Sequence, residues 1–227
     1  MEFVLVKGGC YKMGDTSGDK YEDETPVHEV CVDDFYIGKY EVTQGQWTKI
    51  MECNPSYFKS GDNYPIETVS WTDVKEFINK LNERTGKKYR LPTEAKWEYA
   101  ARSGGKKEKW AGTNDDTKLC NYAWYNGNSN GETHPVGQKL PNALGLFDMS
   151  GNVWEWLEDV YDEDAYTKHS LDNPIYTGGS SNRVIRGGSW NRNPQYARCY
   201  SRRFNSTDYR SYNIGFRLEY VWQTEIK

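Results

Sequence analysis

Residues 191–213, NRNPQYARCYSRRFNSTDYRSYN, contain no Leu, Ile, Val, Met, Trp, Lys or Glu. The stretch is mostly Arg, Tyr, Ser and Asn, with one Phe and one Asp. A segment without large aliphatic side chains has little with which to line a core. Yet apolar, strand-like residues bracket it: Arg183-Val-Ile-Arg-Gly-Gly-Ser-Trp190 on one side and Ile214-Gly-Phe-Arg-Leu218 on the other. A polar, ring-rich stretch pinned at both ends by scaffold is how a binding surface is carried on a rigid frame.

The rest of the chain has to supply that frame. Apolar residues make up 36% of the 227, but nine Trp and eighteen Tyr are among them. The core is therefore built from rings more than from aliphatics, and an irregular, loop-rich domain can still be stable because each ring buries a large area. The length suits one domain of the larger sort. No repeat or linker divides the chain, so the expectation is a single domain over 1–227 with a variable region at about 190–213. A net charge of -4 gives no basic field for nucleic acid. No apolar run approaches the ~20 residues of a membrane span. The start lacks the positive and apolar regions of a signal peptide, which an already trimmed signal would also produce. Five Cys without a CxxC leave at least one thiol free and give no zinc spacing; buried structural thiols are the expectation.

Local signals place the elements. Phe3-Val-Leu-Val6 and the stretch after Gly8-Gly9 read as strands about a glycine turn, and Val27 to Val32 alternates as a third strand. Thr43 with Gln46 fits a capping box for a short helix from about Gln44 to Met51. Ser70 with Asp73 caps a helix whose Val74, Phe77, Ile78 and Leu81 form one apolar stripe, and Gly86 ends it. Thr93 caps another that Ser103-Gly-Gly stops. Beyond residue 103 no long amphipathic helix is predicted. Residues 142–156 read as a tight, buried segment and residues 158–182 as polar loop.

Several motifs, taken together, resemble the formylglycine-generating-enzyme (sulfatase-modifying-factor) family. They are Leu91-Pro-Thr-Glu-Ala-Lys-Trp-Glu-Tyr-Ala-Ala-Arg102, Asn142-Ala-Leu-Gly-Leu-Phe-Asp-Met-Ser-Gly-Asn-Val-Trp-Glu-Trp156, Arg186-Gly-Gly-Ser-Trp190 and Asn213-Ile-Gly-Phe-Arg217. Met13-Gly14, Glu24-Thr-Pro-Val-His28 and Glu41-Val-Thr43 extend the likeness to nearly the whole chain. The resemblance implies an α+β, C-type-lectin-like fold with short antiparallel strands, two main helices and much loop. It leaves function open, because a fold hosts several. Some members oxidise a substrate cysteine, some are iron-dependent or maturation enzymes, and others are display scaffolds, including variable proteins of diversity-generating retroelements.

The oxidases hold Cu(I) with two cysteines five positions apart, since a soft monovalent ion takes two soft ligands. Here Cys199 fills the second position and Pro194 stands at the first. Only His28, His134 and His169 are available for a two-His iron site; His28 and His134 read as structural, and His169 lies in a polar loop. Glu155 and Asp148 read as buried structural acids. The display reading accounts for more. In retroelement variable proteins the diversified codons, mostly those for Asn, cannot reach Lys, Glu, Gln, Met or Trp; residues 191–213 hold only Gln195 among these. Asn191, Asn193, Asn205 and Asn213 fit unmutated template positions. Tyr, Arg, Ser and Asn are also the alphabet of adaptable paratopes. The ligand-binding residues predicted are therefore Arg192, Tyr196, Tyr200, Ser201, Arg203, Phe204, Ser206, Asp208, Tyr209, Ser211 and Tyr212, with Arg198, Arg202 and Arg210 as candidate scaffold. A single acid in the stretch argues against a sugar bound through calcium, so a macromolecular protein ligand is expected. No catalytic residue or cofactor is expected. A structural Ca²⁺ or Mg²⁺ near residues 121–130 or 151–155 fits the resemblance. So do a monomer and display at the cell surface or outer membrane, through a lipid anchor on a segment outside this sequence.

Overall fold

The computed structural model describes residues 1–19 and 21–222. Three sheets carry the chain. The first has the order β1 (Phe3–Val6), β4 (Phe35–Gly38), β10 (Glu219–Val221), β5 (Lys88–Arg90), all neighbours antiparallel. The second is the ribbon β2 (Gly9–Met13) with β3 (His28–Val32). The third has the order β8 (Arg202–Ser206), β7 (Asn182–Arg186), β6 (Trp154–Val160), β9 (Ile214–Gly215), with β9 parallel to β6.

The helices follow their local signals closely. α1 (Gln44–Met51) begins at the Thr43/Gln46 capping box. α2 (Trp71–Thr85) begins at the Ser70/Asp73 box, buries Val74, Phe77, Ile78 and Leu81, and ends on Gly86 at φ 64°, a left-handed cap that glycine adopts without cost. α3 (Glu94–Ala101) starts from Thr93 and is buried along its whole length. A short α4 (Ala165–Lys168) follows β6.

Two expectations need correction. The polar loop predicted from residue 158 starts later, because β6 runs to Val160 and packs on both its neighbours. The cysteines are not all thiols: Cys10 and Cys31 face each other in the β2–β3 register and are joined by a disulfide.

The core is ring-rich, as the composition implied. Trp47 stacks on Phe77 with ring centroids 5.0 Å apart, and Phe216 meets both edge-on. The two main apolar clusters lie on either side of the third sheet's strands: Trp154, Trp156 and Ile185 belong to the α1–α2 cluster, whereas Leu157 and Val184 join the one around α3. That alternation along β6 and β7 is the pleat of strands buried on both faces.

Candidate functional site

The site stands on a buried layer of ion pairs. Glu94 and Glu98, one turn apart on α3, face Arg186 of β7 and Arg202 of β8. Arg202 grips Glu94 with two hydrogen bonds of 2.8 Å, Arg186 contacts both Glu98 and Glu94, and Arg102 pairs with Glu98 at 2.9 Å. Every one of these side chains is 1% exposed or less. Burial alone pushes the Glu94 carboxyl up, but the Arg202 and Arg186 guanidiniums hold it below the usual carboxylate range. A parallel pair ties Arg198 to Glu24 at 2.7 Å and to Asp19 at 2.7 Å. Burial lifts Glu24 to about 7 despite Arg198. Arg217 closes the far side on Glu155, which also accepts the Trp97 indole N–H. Such pairs fix geometry more than they add stability, because both charges have left water.

Above this layer the chain rises to the surface. A 3₁₀ turn (Pro194–Ala197) leads through the buried residues 197–202 into β8, and residues 203–212 return across the face. Between the two limbs lies an open cavity of about 360 Å³. Its floor is Trp154, Ile185 and Ile214, and its walls include Arg192, Tyr196, Arg203, Phe204, Tyr209, Ser211 and Tyr212. Asn191, Asn205 and Asn213 also line it; sequence reasoning had assigned these amides to unmutated template positions. Asn213 is locked in the wall, donating to Asn191 Oδ1 at 2.9 Å and accepting from Ser211 Oγ at 2.7 Å.

Not every predicted residue reaches this face. Tyr200 and Ser201 are fully buried and cannot present exposed contacts. The Tyr200 ring lies against the Arg102 and Arg198 guanidiniums, 5.1 and 4.6 Å from its centroid, and its hydroxyl donates to Asp19 at 2.9 Å. Ser201 lies in sequence between the buried Arg198 and Arg202 and is as deeply buried as they are. Ser206 and Asp208 are exposed but lie outside the cavity wall, with Asp208 accepting from Thr72 Oγ1 at 3.1 Å. Arg198 and Arg202 are scaffold. Arg210 lies half-exposed on the Asp73 cap of α2 at 2.6 Å.

A neighbouring element was not anticipated. Tyr57, 72% exposed, and Phe58 come from the loop after α1 and join Trp190 and Tyr212 in an aromatic group, with centroid separations of 4.9–6.4 Å. Adjacent rings in a polar loop were the available signal. His169 was likewise read as loop, but it pairs with His28 across 3.0 Å beside Tyr166. Burial lowers both histidines, His169 to about 4.

The copper site that the resemblance implies lacks one of its two ligands. Cys199 is wholly buried, burial pushes its thiol up, and Pro194 stands where the other thiolate is needed. Cys10 and Cys31 are consumed by their disulfide, and Cys53 and Cys120 lie at the surface. Around residues 121–130 and 151–155, where a structural Ca²⁺ or Mg²⁺ fits the resemblance, several side-chain donors have protein partners. Asn128 bonds its own loop, Asn152 donates to Glu41 and His134, and Glu155 is held by Arg217. Among the described residues no three His, Cys, Asp or Glu converge to hold a metal ion.

The comparisons with known proteins agree with this architecture. Residues 1–220 match the sulfatase-modifying factor enzyme 1-like domain. A solved structure, Treponema denticola variable protein 1, superposes with a TM-score of 0.89 and 31% identity over 96% of this chain and 94% of its own. Chaperone protein LppX of Paenibacillus barcinonensis is 35% identical over 83% of this chain and 78% of its own length. The formylglycine-generating enzyme of Streptomyces coelicolor is 28% identical over 94% and 87%. The order of motifs, the C-type-lectin-like α+β fold and the extent of the match together make this chain a member of the sulfatase-modifying-factor (formylglycine-generating-enzyme-like) family.

Proposed function

We propose that this protein is a non-enzymatic binding protein whose site is a sequence-variable, solvent-facing surface within residues 190–213 of one domain. The observation that carries the reading is the coincidence of the cavity wall with the Lys- and Glu-free stretch. The side chains that would vary line an open hollow, while the residues that hold the frame are buried charge pairs below it. The likeness to a variable protein at 31% identity supports it, as does the incomplete cysteine pair. The ligand is macromolecular, a protein by the chemistry of the wall, and the chain acts as a monomer displayed at the cell surface or outer membrane through a lipid anchor. The Cys10–Cys31 disulfide supports an oxidising compartment of that kind, and among the described residues no helix is long and apolar enough to cross a membrane. Sequencing the locus from sibling isolates tests the proposal. Substitutions should concentrate at cavity-wall positions such as Arg192, Tyr196, Arg203, Phe204 and Tyr209 and spare Arg198, Cys199, Tyr200 and Arg202; an even spread along the gene overturns it.

The second reading is an oxidase of the formylglycine-generating type, favoured by the 28% identity to such an enzyme over nearly the whole chain. A peptide-oxidation assay with added copper separates the two. Turnover that disappears in Cys199→Ser establishes the oxidase and removes the argument from Pro194.

A further inference from the structure

The cavity wall has a chemical bias that the display reading does not require. Its two charged residues, Arg192 and Arg203, are both cations, and no carboxylate lines it. The ring of Tyr196 lies near both guanidiniums, 6.0 Å from Arg192 and 5.0 Å from Arg203. Arg203 is partly engaged, donating to the Arg202 carbonyl at 2.8 Å and more weakly to Asp23 at 3.4 Å. Arg192 makes no side-chain hydrogen bond or ion pair among the described residues, and neither do the Asn205 amide or the hydroxyls of Tyr196, Tyr209 and Tyr212. Elsewhere in this protein most guanidiniums have a carboxylate partner even where they are half-exposed, as Arg210 has in Asp73, whereas Arg183 donates to the Glu158 carbonyl. The wall therefore offers a set of uncommitted donors around one fully available guanidinium, with aromatic surface on either side.

We propose that in this variant the cavity receives the carboxylate of an Asp or Glu side chain at the surface of a protein ligand, flanked on that ligand by an apolar or aromatic residue. The inference rests on the display reading for the source of the ligand, while the chemistry follows from the wall alone. A planar carboxylate accepts two parallel hydrogen bonds from a guanidinium fork, a geometry that a point charge does not offer. One free guanidinium and a second shared with Asp23 balance a single negative charge better than the two charges of a phosphate. The rings exclude water around the pair and strengthen it, and the apolar floor of Trp154, Ile185 and Ile214 takes the neighbouring apolar group.

Three small probes on one aromatic stem test this by titration with nuclear magnetic resonance detection: phenylacetate, its neutral amide phenylacetamide, and phenyl phosphate. Phenylacetate should bind about tenfold more tightly than phenylacetamide. Arg192→Gln with Arg203→Gln should abolish that preference while the melting temperature stays within about 4 °C, since Arg192 is exposed and Arg203 gives up one carbonyl bond and a long contact with Asp23. A random copolymer of Glu and Tyr should bind more tightly than phenylacetate and compete with it, which assigns the carboxylate to a polypeptide. Equal binding of phenylacetate and phenylacetamide overturns the proposal, as does tighter binding of phenyl phosphate or a preference that survives the double substitution. Those failures leave the display reading standing. That reading falls instead if the substitutions among isolates are spread evenly, whatever the cavity binds.

Discussion

Residues 197–202 and 203–212 are adjacent, share one alphabet of Arg, Tyr and Ser, and meet opposite fates. The first run is buried throughout, with Arg198, Tyr200, Ser201 and Arg202 each 2% exposed or less. The second carries the surface, with Phe204 44% and Tyr209 46% exposed. Composition does not separate them; the partners do. Glu24 and Asp19 wait for Arg198, and Glu94 for Arg202, so each guanidinium goes under cover with a counterion and its desolvation is offset. Arg192 has no such partner and stays outside. In this stretch an arginine goes under cover where the frame supplies a buried glutamate, as for Arg198 and Arg202, whereas Arg203 on Asp23 and Arg210 on Asp73 stay partly exposed.

That contrast breaks first at Glu94, which holds both Arg202 and Arg186. Glu94→Ala leaves the buried Arg202 without its carboxylate partner and Arg186 with Glu98 alone. Removing one partner of a buried pair costs about 3–5 kcal/mol, a fall of about 6–20 °C in the melting temperature for a domain of this size. Calorimetry measures it, and a shift under 2 °C would mean that the ionic layer does not hold the frame.

Tyr200→Ala should cost nearly as much, about 3 kcal/mol, because it empties a buried ring site and strips the Asp19 carboxylate of a hydrogen bond. Tyr200 is also where the sequence misleads most. The capping boxes at Thr43 and Ser70 were legible because their partners lie three residues away. The apolar stripe of α2 was legible because its period is local. The partners of Tyr200 and Arg198 lie about 180 residues earlier, at Asp19 and Glu24, so nothing in residues 191–213 distinguishes Tyr200 from Tyr209. The cavity was legible in outline, since a run with no large aliphatics had to face outward somewhere. Its floor was not, because Trp154 and Ile185 come from strands that only the third sheet brings together. The ring pair Tyr57 and Phe58 was missed for the same reason: Tyr212 approaches it from the other end of the chain.

A smaller effect belongs to the His28–His169 contact, which fastens the loop around α4 to β3. Its surroundings include Tyr166, the Glu94 carboxylate and the Arg202 guanidinium. Burial holds His169 at about 4, below its unfolded value, so its contribution is present above pH 6.5 and is lost as the pH falls through about 4. His169→Gln should lie about 1–2 kcal/mol below the parent protein at pH 7.5, a figure that allows for partial exposure. The two stability curves should converge by pH 4. Curves that stay parallel in chemical denaturation would assign the histidine a packing role alone.

The smallest expected effect sharpens the comparison most. Tyr209→Ala removes a ring that is nearly half exposed and makes no side-chain hydrogen bond among the described residues. Its loss should change stability by less than about 0.5 kcal/mol. Tyr212→Ala should cost slightly more, because its ring also rests on Trp190 and Tyr57, yet far less than Tyr200→Ala. Thermal melts of the three single variants, run together, place the boundary between frame and contact surface within one stretch of sequence. If Tyr209→Ala and Tyr200→Ala destabilise equally, residues 203–212 belong to the frame, and a surface free to change its residues has to lie elsewhere on the molecule.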